Sequence, residues 1–329
     1  MTKSKIYFRA DGNTEIGLGH ITRSMALADM LKENFNCVFL VRNPSEILQK
    51  QIRESFTLIV LPQTQDYLQE AYFIKETYLQ ANDIIVLDGY NFQTDYQKIL
   101  KTKKIKLVCI DDMHAWHFVA DAVINHAGGV QESEYSCENY TKLYLGTDYA
   151  LLRKPFLEAA KKERKIEKIE KVFICFGGSD IHNLSQKATE ACLTVEKFTE
   201  IHVVLGSAYP YFQEFTNFAQ EYKKVQIHQN LDAQEMCDLM QHCQLAIAPA
   251  SSIAYEICAV GMYLITGWYV ENQKGIYQFL SKNALCLGVE NFQNLSSNVS
   301  NFEIEIAYLQ NQKKDFNAKI MERIISVFL

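Results

Sequence analysis

The fold of this chain is decided by Arg9-Ala10-Asp11-Gly12-Asn13-Thr14-Glu15-Ile16-Gly17-Leu18-Gly19-His20, which continues into Ile21-Thr22-Arg23. The apolar residues 6–8 immediately before this stretch predict a first β-strand. After His20, the apolar residues 21, 25, 28 and 31 recur at the spacing of a helix face. The stretch therefore predicts the order strand, glycine loop, helix.

The glycine loop has the properties of a ligand-binding turn. Gly17 and Gly19 allow a tight turn and a close approach of the backbone to a ligand. The unpaired N–H groups at the start of the helix suit an anion. His20 stands at this point, and its imidazole can accept a proton near neutral pH. The same pattern also fits a simple turn in which His20 caps or packs the helix.

The first half of the chain alternates short apolar runs with helical patterns. The runs predict strands at residues 37–41, 57–61, 84–88, 106–110 and 122–125, and a helix is predicted at about residues 66–80. Continuously apolar strands separated by helices are typical of a parallel sheet covered on both faces. Because ligands bind beyond the carboxyl ends of such strands, we expect the loops after Phe8, Asp88 and Ile110 to share one rim.

A charged segment at residues 161–171 separates this half from a second one with the same plan. Strands are predicted at residues 172–176, 201–205, 245–248 and 263–265, with helices beginning near Asn183 and Asn272 and a helical region at 301–329. The mixed signs of the charged segment indicate a solvated helix face or linker rather than a binding patch. We therefore predict two α/β domains, residues 1–160 and 161–329.

Composition excludes several classes of protein. The 329 residues are 48% hydrophobic and 22% charged, with a formal net charge of -6, as in an ordinary globular protein. Neither half is strongly basic, so we expect no nucleic-acid partner. No run reaches the roughly 20 apolar residues of a membrane span, and residues 1–5 show no signal peptide. The nine cysteines include no CxxC pair, which favours a reduced, cytoplasmic protein without structural zinc.

Polar residues at predicted strand ends in the second half are candidates for binding. Ser251-Ser252 lie at a strand-to-helix turn, where their hydroxyls suit phosphate oxygens or serve as an ordinary helix cap. Glu256, one turn further on, suits a ribose or simply the positive end of the helix dipole. Asn272-Gln273 and the backbone of Gly177-Gly178-Ser179-Asp180 offer further hydrogen-bonding groups.

A second histidine-rich region carries a weaker signal. His114 and His117 lie among acids that are also metal-ligand types, namely Asp111, Asp112 and Asp121. Their spacing matches no established metal motif, so we expect no metal site there. The turn His126-Ala127-Gly128-Gly129 either lines a cleft or only reverses the chain.

Taken together, these motifs resemble one family, the GT-B-like UDP-sugar hydrolases that act on UDP-2,4-diacetamido-2,4,6-trideoxy-β-L-altropyranose in pseudaminic acid biosynthesis. The resemblance runs in order over most of the chain. It is carried by Arg9-Ala10-Asp11, residues 16–23, Ile110-Asp111-Asp112, residues 145–153, residues 176–180, Ala250-Ser251-Ser252, Glu256, Gly261 and residues 271–274. The motifs of the second half are shared with glycosyltransferases such as the enzyme that makes lipid II.

The resemblance implies a fold and a reaction. The fold would be α/β and GT-B-like, with two Rossmann-like domains whose parallel sheets face each other across a cleft. The reaction would remove UDP from a UDP-linked 2,4-diacetamido-2,4,6-trideoxy hexose. His20 would act as the general base, activating water to attack the anomeric carbon with inversion. The family implies no cofactor and no catalytic metal.

The resemblance also implies which residues bind the substrate. The first domain, which carries His20, would hold the sugar, with Tyr90 close to it. The second domain would hold UDP. Ser251, Ser252 and Glu256 would bind the nucleotide, and Asn272 and Gln273 the pyrophosphate or sugar. The remaining substrate-binding positions expected from the matched motifs are Gly19, Arg23 and Gly178.

The chain departs from the family pattern at Gly89, where many relatives carry His. Two alternatives to the hydrolase remain open, a GT-B glycosyltransferase with a UDP-sugar donor and a nucleotide-sugar-binding module without catalysis. A dinucleotide oxidoreductase is weaker, because the loop at residues 12–20 lacks GxGxxG. We expect the partners to be the UDP-sugar and water, and the protein to be a monomer.

Overall fold

A computed structural model describes residues 3–12 and 18–329. It divides the chain into two units, the first formed by Met1–Arg153 with Lys319–Leu329 and the second by Lys154–Ala318. This division differs from the predicted ranges 1–160 and 161–329 at the junction and at the segment that follows residue 318. The alternation of strands and helices on which the prediction rests is present in both units.

The first unit is built on a parallel sheet. Within the described residues its strands are β1 (Lys5–Ala10), β2 (Asn36–Arg42), β3 (Thr57–Leu61), β4 (Ile84–Asp88), β5 (Lys106–Ile110), β6 (His117–Phe118), β7 (Ala122–Asn125), β8 (Ser136–Cys137) and β9 (Lys142–Leu145). Seven of these pair in the order β3-β2-β1-β4-β5-β7-β9, and β6 pairs with β8. The order reverses direction between β1 and β4, so the carboxyl ends of these two strands flank the position where α/β sheets bind ligands.

Four helices connect the strands of this unit. They are α1 (Gly19–Leu31), α2 (Glu46–Arg53), α3 (Tyr67–Thr77) and α4 (Thr94–Lys101). Asp66 caps α3 by accepting hydrogen bonds from the N–H groups of Leu68 and Gln69, which explains where the predicted helix begins. Strands β1 and β4 are buried on both faces, as their uninterrupted apolar sequence predicts.

The second unit repeats the architecture. Its strands are β10 (Lys171–Cys175), β11 (Glu200–Leu205), β12 (Val225–Gln229), β13 (Leu245–Pro249), β14 (Tyr263–Gly267) and β15 (Leu287–Gly288). They form a parallel sheet in the order β12-β11-β10-β13-β14-β15. The direction of the order reverses between β10 and β13, so a second ligand position is expected at their carboxyl ends.

The helices of the second unit precede, connect and follow these strands. They are α5 (Lys154–Ala160), α6 (Leu184–Leu193), α7 (Phe212–Ala219), α8 (Ala233–His242), α9 (Ser252–Val260), α10 (Lys274–Lys282), α11 (Leu295–Ser300) and α12 (Ile306–Asp315). Gly261 ends α9 with a φ of +75°, a conformation that glycine adopts without strain. Three strands of the two sheets were not predicted from the sequence, namely β9, β12 and β15.

The helix α13 (Lys319–Phe328) completes the first unit. Its buried residues Ile320, Ile324, Val327 and Phe328 follow the spacing of one helix face. Lys106 donates a hydrogen bond from Nζ to the carbonyl oxygen of Val327 at 2.7 Å. The helical pattern predicted at residues 301–329 is therefore two helices that serve different units.

Candidate active site

The start of α1 offers free backbone groups rather than a capping side chain. Gly19 is the first residue of α1 and His20 the second. Among the described residues, no side chain caps this helix start. A Cβ atom built on Gly19 meets none of the described residues beyond its own helix within 4 Å, so these residues leave the space beside its backbone open. Gly17, the other glycine of the predicted binding loop, lies outside the described residues.

His20 forms a short polar contact with the end of a neighbouring strand. Its Nδ1 atom lies 2.8 Å from Oδ1 of Asp88, the last residue of β4. The Asp88 side chain is fully buried, whereas the His20 side chain is 12% exposed. Ser24, one turn along α1, donates its hydroxyl to Oδ2 of Asp88 at 3.2 Å. The imidazole is thus oriented by a buried carboxylate.

Arg23 links two strand ends at this rim. It donates from Nε and Nη2 to the two oxygens of Asp88, at 2.8 Å and 2.6 Å, in a bidentate pair. Its Nη1 donates to Oδ2 of Asp112 at 2.7 Å, just beyond β5. Because residues three apart lie on one face of a helix, α1 directs His20 and Arg23 to the same side. The predicted shared rim is therefore present, with Asp88 at its centre.

The charge state of Asp88 follows from these contacts. Burial by itself would raise the pKa of its carboxyl group, but the charge of Arg23 and the hydrogen bonds from His20 and Arg23 outweigh burial. The pKa of Asp88 consequently lies below its ordinary value. An ionised Asp88 can only accept hydrogen bonds, so a hydrogen bond from His20 to Asp88 requires the proton on Nδ1. Nη2 of Arg23 also lies 3.0 Å from this nitrogen.

Tyr90 packs against the imidazole. Its ring meets the His20 ring edge-on, with centroids 4.7 Å apart and planes at 87°. Burial first, and then the charge of Asp112, raise the pKa of Tyr90 to about 12, so the phenol keeps its proton near neutral pH. Gly89 has a φ of +151°, and a Cβ atom there would lie 3.0 Å from the Phe92 ring. The turn that presents Tyr90 therefore favours glycine at position 89.

The motif Arg9-Ala10-Asp11 has a structural role at the end of β1. Arg9 is fully buried and donates to Asp11 at 2.6 Å and 2.8 Å, and to Glu70 of α3 at 2.8 Å and 3.1 Å. Asp11 also accepts the backbone N–H of Arg42 at 2.8 Å, and Tyr96 donates to Glu70 at 3.1 Å. These contacts tie β1, β2 and α3 together next to the rim.

His126 follows β7 and is 5% exposed, so it does not present an open surface. Its Nδ1 accepts a hydrogen bond from the backbone N–H of Leu151 at 3.4 Å. Burial, with a smaller contribution from the charge of Arg23, lowers the pKa of His126 to about 4. The imidazole is therefore neutral near pH 7 and adds no positive charge beside Arg23.

The acids considered as metal ligands in the sequence bind other groups of the protein. Asp111 accepts the backbone N–H of His114 at 2.8 Å and the hydroxyl of Tyr135 at 2.9 Å. Asp121 accepts two contacts from Lys101, at 2.7 Å and 2.9 Å. Within residues 3–12 and 18–329, the one group with converging metal-ligand atoms lies elsewhere, in the second unit.

Ser251 and Ser252 lie in the second unit where β13 passes into α9. Ser251 occupies the cap position of α9, but its side chain forms no capping hydrogen bond in the part of the chain that is described. Its own N–H donates to the carbonyl oxygen of Pro249 at 2.9 Å. The first turn of α9 contains no acidic residue, so its positive end is not neutralised by its own sequence. The arrangement suits an anion better than the capping role considered from the sequence.

Glu256 lies on the second turn of α9 and is 7% exposed. Burial and, after it, the charges of Asp238 and Glu256 raise the pKa of Cys237 on α8. The Glu256 carboxylate therefore lies close enough to α8 to affect Cys237. It also lies near the start of α9, where we expect a nucleotide to bind.

The loop after β14 holds Asn272 and Gln273 in different ways. Both lie in the short 3₁₀ helix Glu271–Gln273, where Asn272 is exposed and Gln273 is buried. Oε1 of Gln273 accepts the backbone N–H of Tyr269 at 3.1 Å, and the Tyr269 hydroxyl donates to the carbonyl oxygen of Phe176 at 3.2 Å. Gln273 therefore fixes the loop, whereas Asn272 presents its amide to solvent.

The loop after β10 contains Gly178. Its carbonyl oxygen accepts the N–H of Ala208 at 3.2 Å, and a Cβ atom on Gly206 would lie 2.1 Å from that oxygen, so glycine is required at position 206. Asp180 accepts the N–H groups of Leu184 and Ser185, each at 2.8 Å. Asp180 therefore caps the start of α6, whereas no side chain among the described residues caps the start of α9.

Sequence reasoning did not single out Asp88 as a site residue, although it noted an acid at the end of that strand. The structure makes Asp88 the common partner of His20, Arg23 and Ser24. The available signal was an acid at the carboxyl end of a central strand, next to the glycine loop at the reversal of strand order.

Two parallel sheets, each with a reversal of strand order and polar residues at that point, define a GT-B-like α/β protein. Solved structures of the same fold include MurG of Acinetobacter baumannii, with a TM-score of 0.66, 11% identity and 99% of both chains covered. The calicheamicin glycosyltransferase CalG4 has a TM-score of 0.66 and 10% identity, with 99% of this chain and 98% of that one covered. At these identities the similarity concerns the fold alone.

Three relatives are similar in sequence. UDP-2,4-diacetamido-2,4,6-trideoxy-beta-L-altropyranose hydrolase of Campylobacter jejuni is 28% identical over 292 residues, covering 84% of this chain and 96% of that protein. Spore coat polysaccharide biosynthesis protein SpsG of Bacillus subtilis is 28% identical, covering 80% and 77%. "Uncharacterized protein MJ1062" of Methanocaldococcus jannaschii is 27% identical over 83% of this chain, which spans only 57% of that relative.

These similarities support kinship with the group of proteins predicted from the motifs. No family model matches the chain. Within residues 3–12 and 18–329, no helix has the length and apolar character needed to cross a bilayer.

Proposed function

We propose that this protein is a nucleotide-sugar hydrolase that removes UDP from a UDP-linked 2,4-diacetamido-2,4,6-trideoxy hexose, in pseudaminic acid biosynthesis. The observation that carries this proposal is the 2.8 Å contact between His20 and the buried Asp88. A histidine oriented by an ionised carboxylate is an arrangement that suits general-base catalysis, because it holds the ring in one position with a nitrogen lone pair available. The Campylobacter jejuni relative supports the choice of substrate, because its name states this sugar nucleotide.

In the proposed reaction, Asp88 accepts a hydrogen bond from the Nδ1–H group of His20, so Nε2 carries the lone pair. Nε2 takes a proton from a water molecule as the water oxygen bonds to the anomeric carbon. The bond between this carbon and the UDP oxygen breaks, and its electron pair leaves with UDP. Attack from the face opposite UDP inverts the anomeric centre. Arg23 keeps Asp88 ionised and stationary through its bidentate pair.

We assign the water and sugar to the first unit and UDP to the second. Around His20, the open backbone of Gly19, the phenol of Tyr90 and the guanidinium of Arg23 are the proposed sugar-side contacts. In the second unit, the start of α9 with Ser251 and Ser252 is the proposed diphosphate site. An uncapped helix start stabilises the charge that develops on a departing diphosphate.

The remaining contacts in the second unit are proposed for the nucleotide. Glu256 is assigned to the ribose hydroxyls, and Asn272 and the backbone of Gly178 to the pyrophosphate or sugar. Gln273 is assigned an indirect role, because its amide oxygen already accepts a hydrogen bond from Tyr269. Neither a cofactor nor a catalytic metal enters this scheme.

The competing function is a glycosyltransferase with a UDP-sugar donor. The same histidine and carboxylate would deprotonate an acceptor hydroxyl as readily as water, so the geometry around His20 supports either reaction. The two functions differ in whether UDP is released when enzyme and UDP-sugar are mixed without an acceptor. A nucleotide-sugar-binding module without catalysis would release none.

The decisive experiment incubates the protein with UDP-2,4-diacetamido-2,4,6-trideoxy-β-L-altropyranose alone and follows the mixture by proton NMR. We expect UDP, the free sugar and inversion at the anomeric carbon. His20→Gln should lower kcat by about 10²- to 10⁴-fold while leaving the dissociation constant for the UDP-sugar nearly unchanged. The exposed His117→Gln is the matched control and should retain activity.

Two results would contradict the proposal. Release of UDP only after addition of a sugar or lipid acceptor would identify a transferase. Full turnover by His20→Gln would remove His20 from the role of base. Size-exclusion chromatography in the same buffer checks our further proposal that the active species is a monomer.

A further inference from the structure

A cluster of three histidines and a glutamate lies in the second unit, away from the strand ends assigned to the nucleotide. Glu200 and His202 alternate along β11 and therefore point to the same face of the sheet. This face is opposite to the one that buries Ile201, Val203 and Leu205 in the core. His242 is the last residue of α8, and His228 lies on the neighbouring strand β12.

The ligand atoms of this cluster converge. Nε2 of His202 lies 3.0 Å from Oε2 of Glu200, and Nε2 of His242 lies 2.9 Å from the same oxygen. One ligand atom from each of the three side chains lies within 4.8 Å of the other two. Ligands of a tetrahedral zinc ion, each about 2.0–2.1 Å from the metal, are separated by about 3.3 Å. The contacts of Glu200 with the two rings are already close to that spacing.

A second layer orients the buried ligand. Nδ1 of His202 lies 3.0 Å from Nε2 of His228 on β12. When one imidazole nitrogen binds a metal, the other carries a proton and donates it to a neighbouring acceptor. His228 is in place to accept that proton. The His202 side chain is 5% exposed, so its ring is held rigidly with Nε2 directed at the glutamate.

Lys171 lies beside this cluster. Its Nζ is 2.9 Å from Nε2 of His242 and 2.7 Å from the second oxygen of Glu200. Nε2 of His242 is also 2.9 Å from the carboxylate of Glu200. If this nitrogen carries a proton, it donates to the carboxylate and has no lone pair for Lys171. A metal ion in place of the proton would bond both Nε2 of His242 and the carboxylate.

We propose that Glu200, His202 and His242 form a zinc site that fixes the end of α8 to β11, with His228 as the hydrogen-bond partner of His202. Two imidazoles and one carboxylate are a ligand set for Zn²⁺, with a fourth position left for water. Lys171 is the competing cation, which a bound metal displaces from His242. The site takes no part in the proposed hydrolase reaction.

The test is titration of ZnCl₂ into the full-length protein, prepared without a histidine tag and treated with EDTA, by isothermal titration calorimetry. We expect one equivalent of Zn²⁺ to bind, and Mg²⁺ not to bind, because Mg²⁺ prefers oxygen ligands. His242→Ala and Glu200→Gln should each weaken Zn²⁺ binding by at least about tenfold. Thermal unfolding of each variant without metal shows that it is folded.

Two further variants sharpen the test. His117 also contacts a glutamate, Glu138 at 3.3 Å, but within the described part of the chain it belongs to no group of three metal-ligand side chains. The His117→Ala variant should therefore bind Zn²⁺ like the parent. Lys171→Met removes the competing cation and should bind Zn²⁺ several-fold more tightly. Failure of the parent protein to bind Zn²⁺, equal binding by His242→Ala, or no gain in Lys171→Met would overturn the proposal.

Discussion

The buried imidazole of His126 predicts a loss of stability in mild acid. Its pKa is about 4 in the folded protein, against about 6.5 for histidine in an unfolded chain. Because the folded-state value is the lower one, the unfolded chain takes up the proton first as the pH falls. The contribution of His126 to stability is therefore complete above about pH 6.5 and is lost progressively towards pH 4.

The size of the effect follows from the two pKa values. This one group lowers the free energy of unfolding by about 2 kcal/mol between about pH 7.5 and about pH 5. The side chain is 5% exposed, so solvent screens the effect little. Protonation would also place a cation near Arg23, whose charge already lowers the pKa of His126.

The assay needs a signal from the first unit alone. The chain has two tryptophans, Trp116 in the first unit and Trp268 in the second. In a Trp268→Phe background, urea unfolding followed by fluorescence reports on the first unit. We compare the parent with His126→Asn, in which an amide can take the place of the Nδ1 atom that accepts from Leu151.

We compare only how the unfolding free energy of each protein changes with pH, because the smaller Asn side chain also lowers stability at every pH. Between about pH 7.5 and pH 5, the parent should lose about 2 kcal/mol more unfolding free energy than His126→Asn. Equal losses in the two proteins, within about 0.5 kcal/mol, would show that His126 titrates normally in the folded state and would refute the reasoning.

Three other predictions concern the candidate site and its frame. Asp88→Asn should lower kcat by about 10²-fold or more, since an amide does not hold the same tautomer of His20, and unchanged hydrolysis measured by NMR would contradict this. Gly12→Ala should lower the free energy of urea unfolding by about 1–3 kcal/mol, because its Cβ would lie 2.5 Å from Cγ2 of Ile21. In an Ile21→Ala background the same change should cost much less. If the losses of the two single variants simply add in the double variant, the clash is excluded. Asp180→Ala should cost about 0.5–2 kcal/mol through loss of its two hydrogen bonds at the start of α6, and an unaltered thermal midpoint would argue against this cap.

The central strands were predictable because burial on both faces leaves an uninterrupted apolar sequence. Strands β1, β4 and β10 show this pattern, and the structure confirms them. The missed strands β9 and β12 lie at sheet edges, and their residues are mostly half-buried. An edge strand contacts the core on fewer sides, so polar residues interrupt its sequence and the pattern resembles a loop.

The residues alone indicated His20 at the end of the glycine loop. The family resemblance added Arg23, three residues further along the same helix, and Tyr90, which packs against the His20 ring. Asp88 is 68 residues from His20, and a single acid at a strand end has many possible partners. Its role depends on which strand lies beside β1, and that order is set by packing of the whole sheet. The cluster around His202 was missed for the same reason, since its members come from β11, β12 and α8.

The return of α13 to the first unit has a consequence for biosynthesis. The second unit is continuous from Lys154 to Ala318, so the ribosome has supplied all of it before residues 319–328 are made. The amino-terminal unit, although translated first, still lacks the helix that buries Ile324 and Phe328 at that moment. The first unit, which contains the candidate base His20, is therefore completed only after the second unit has been translated.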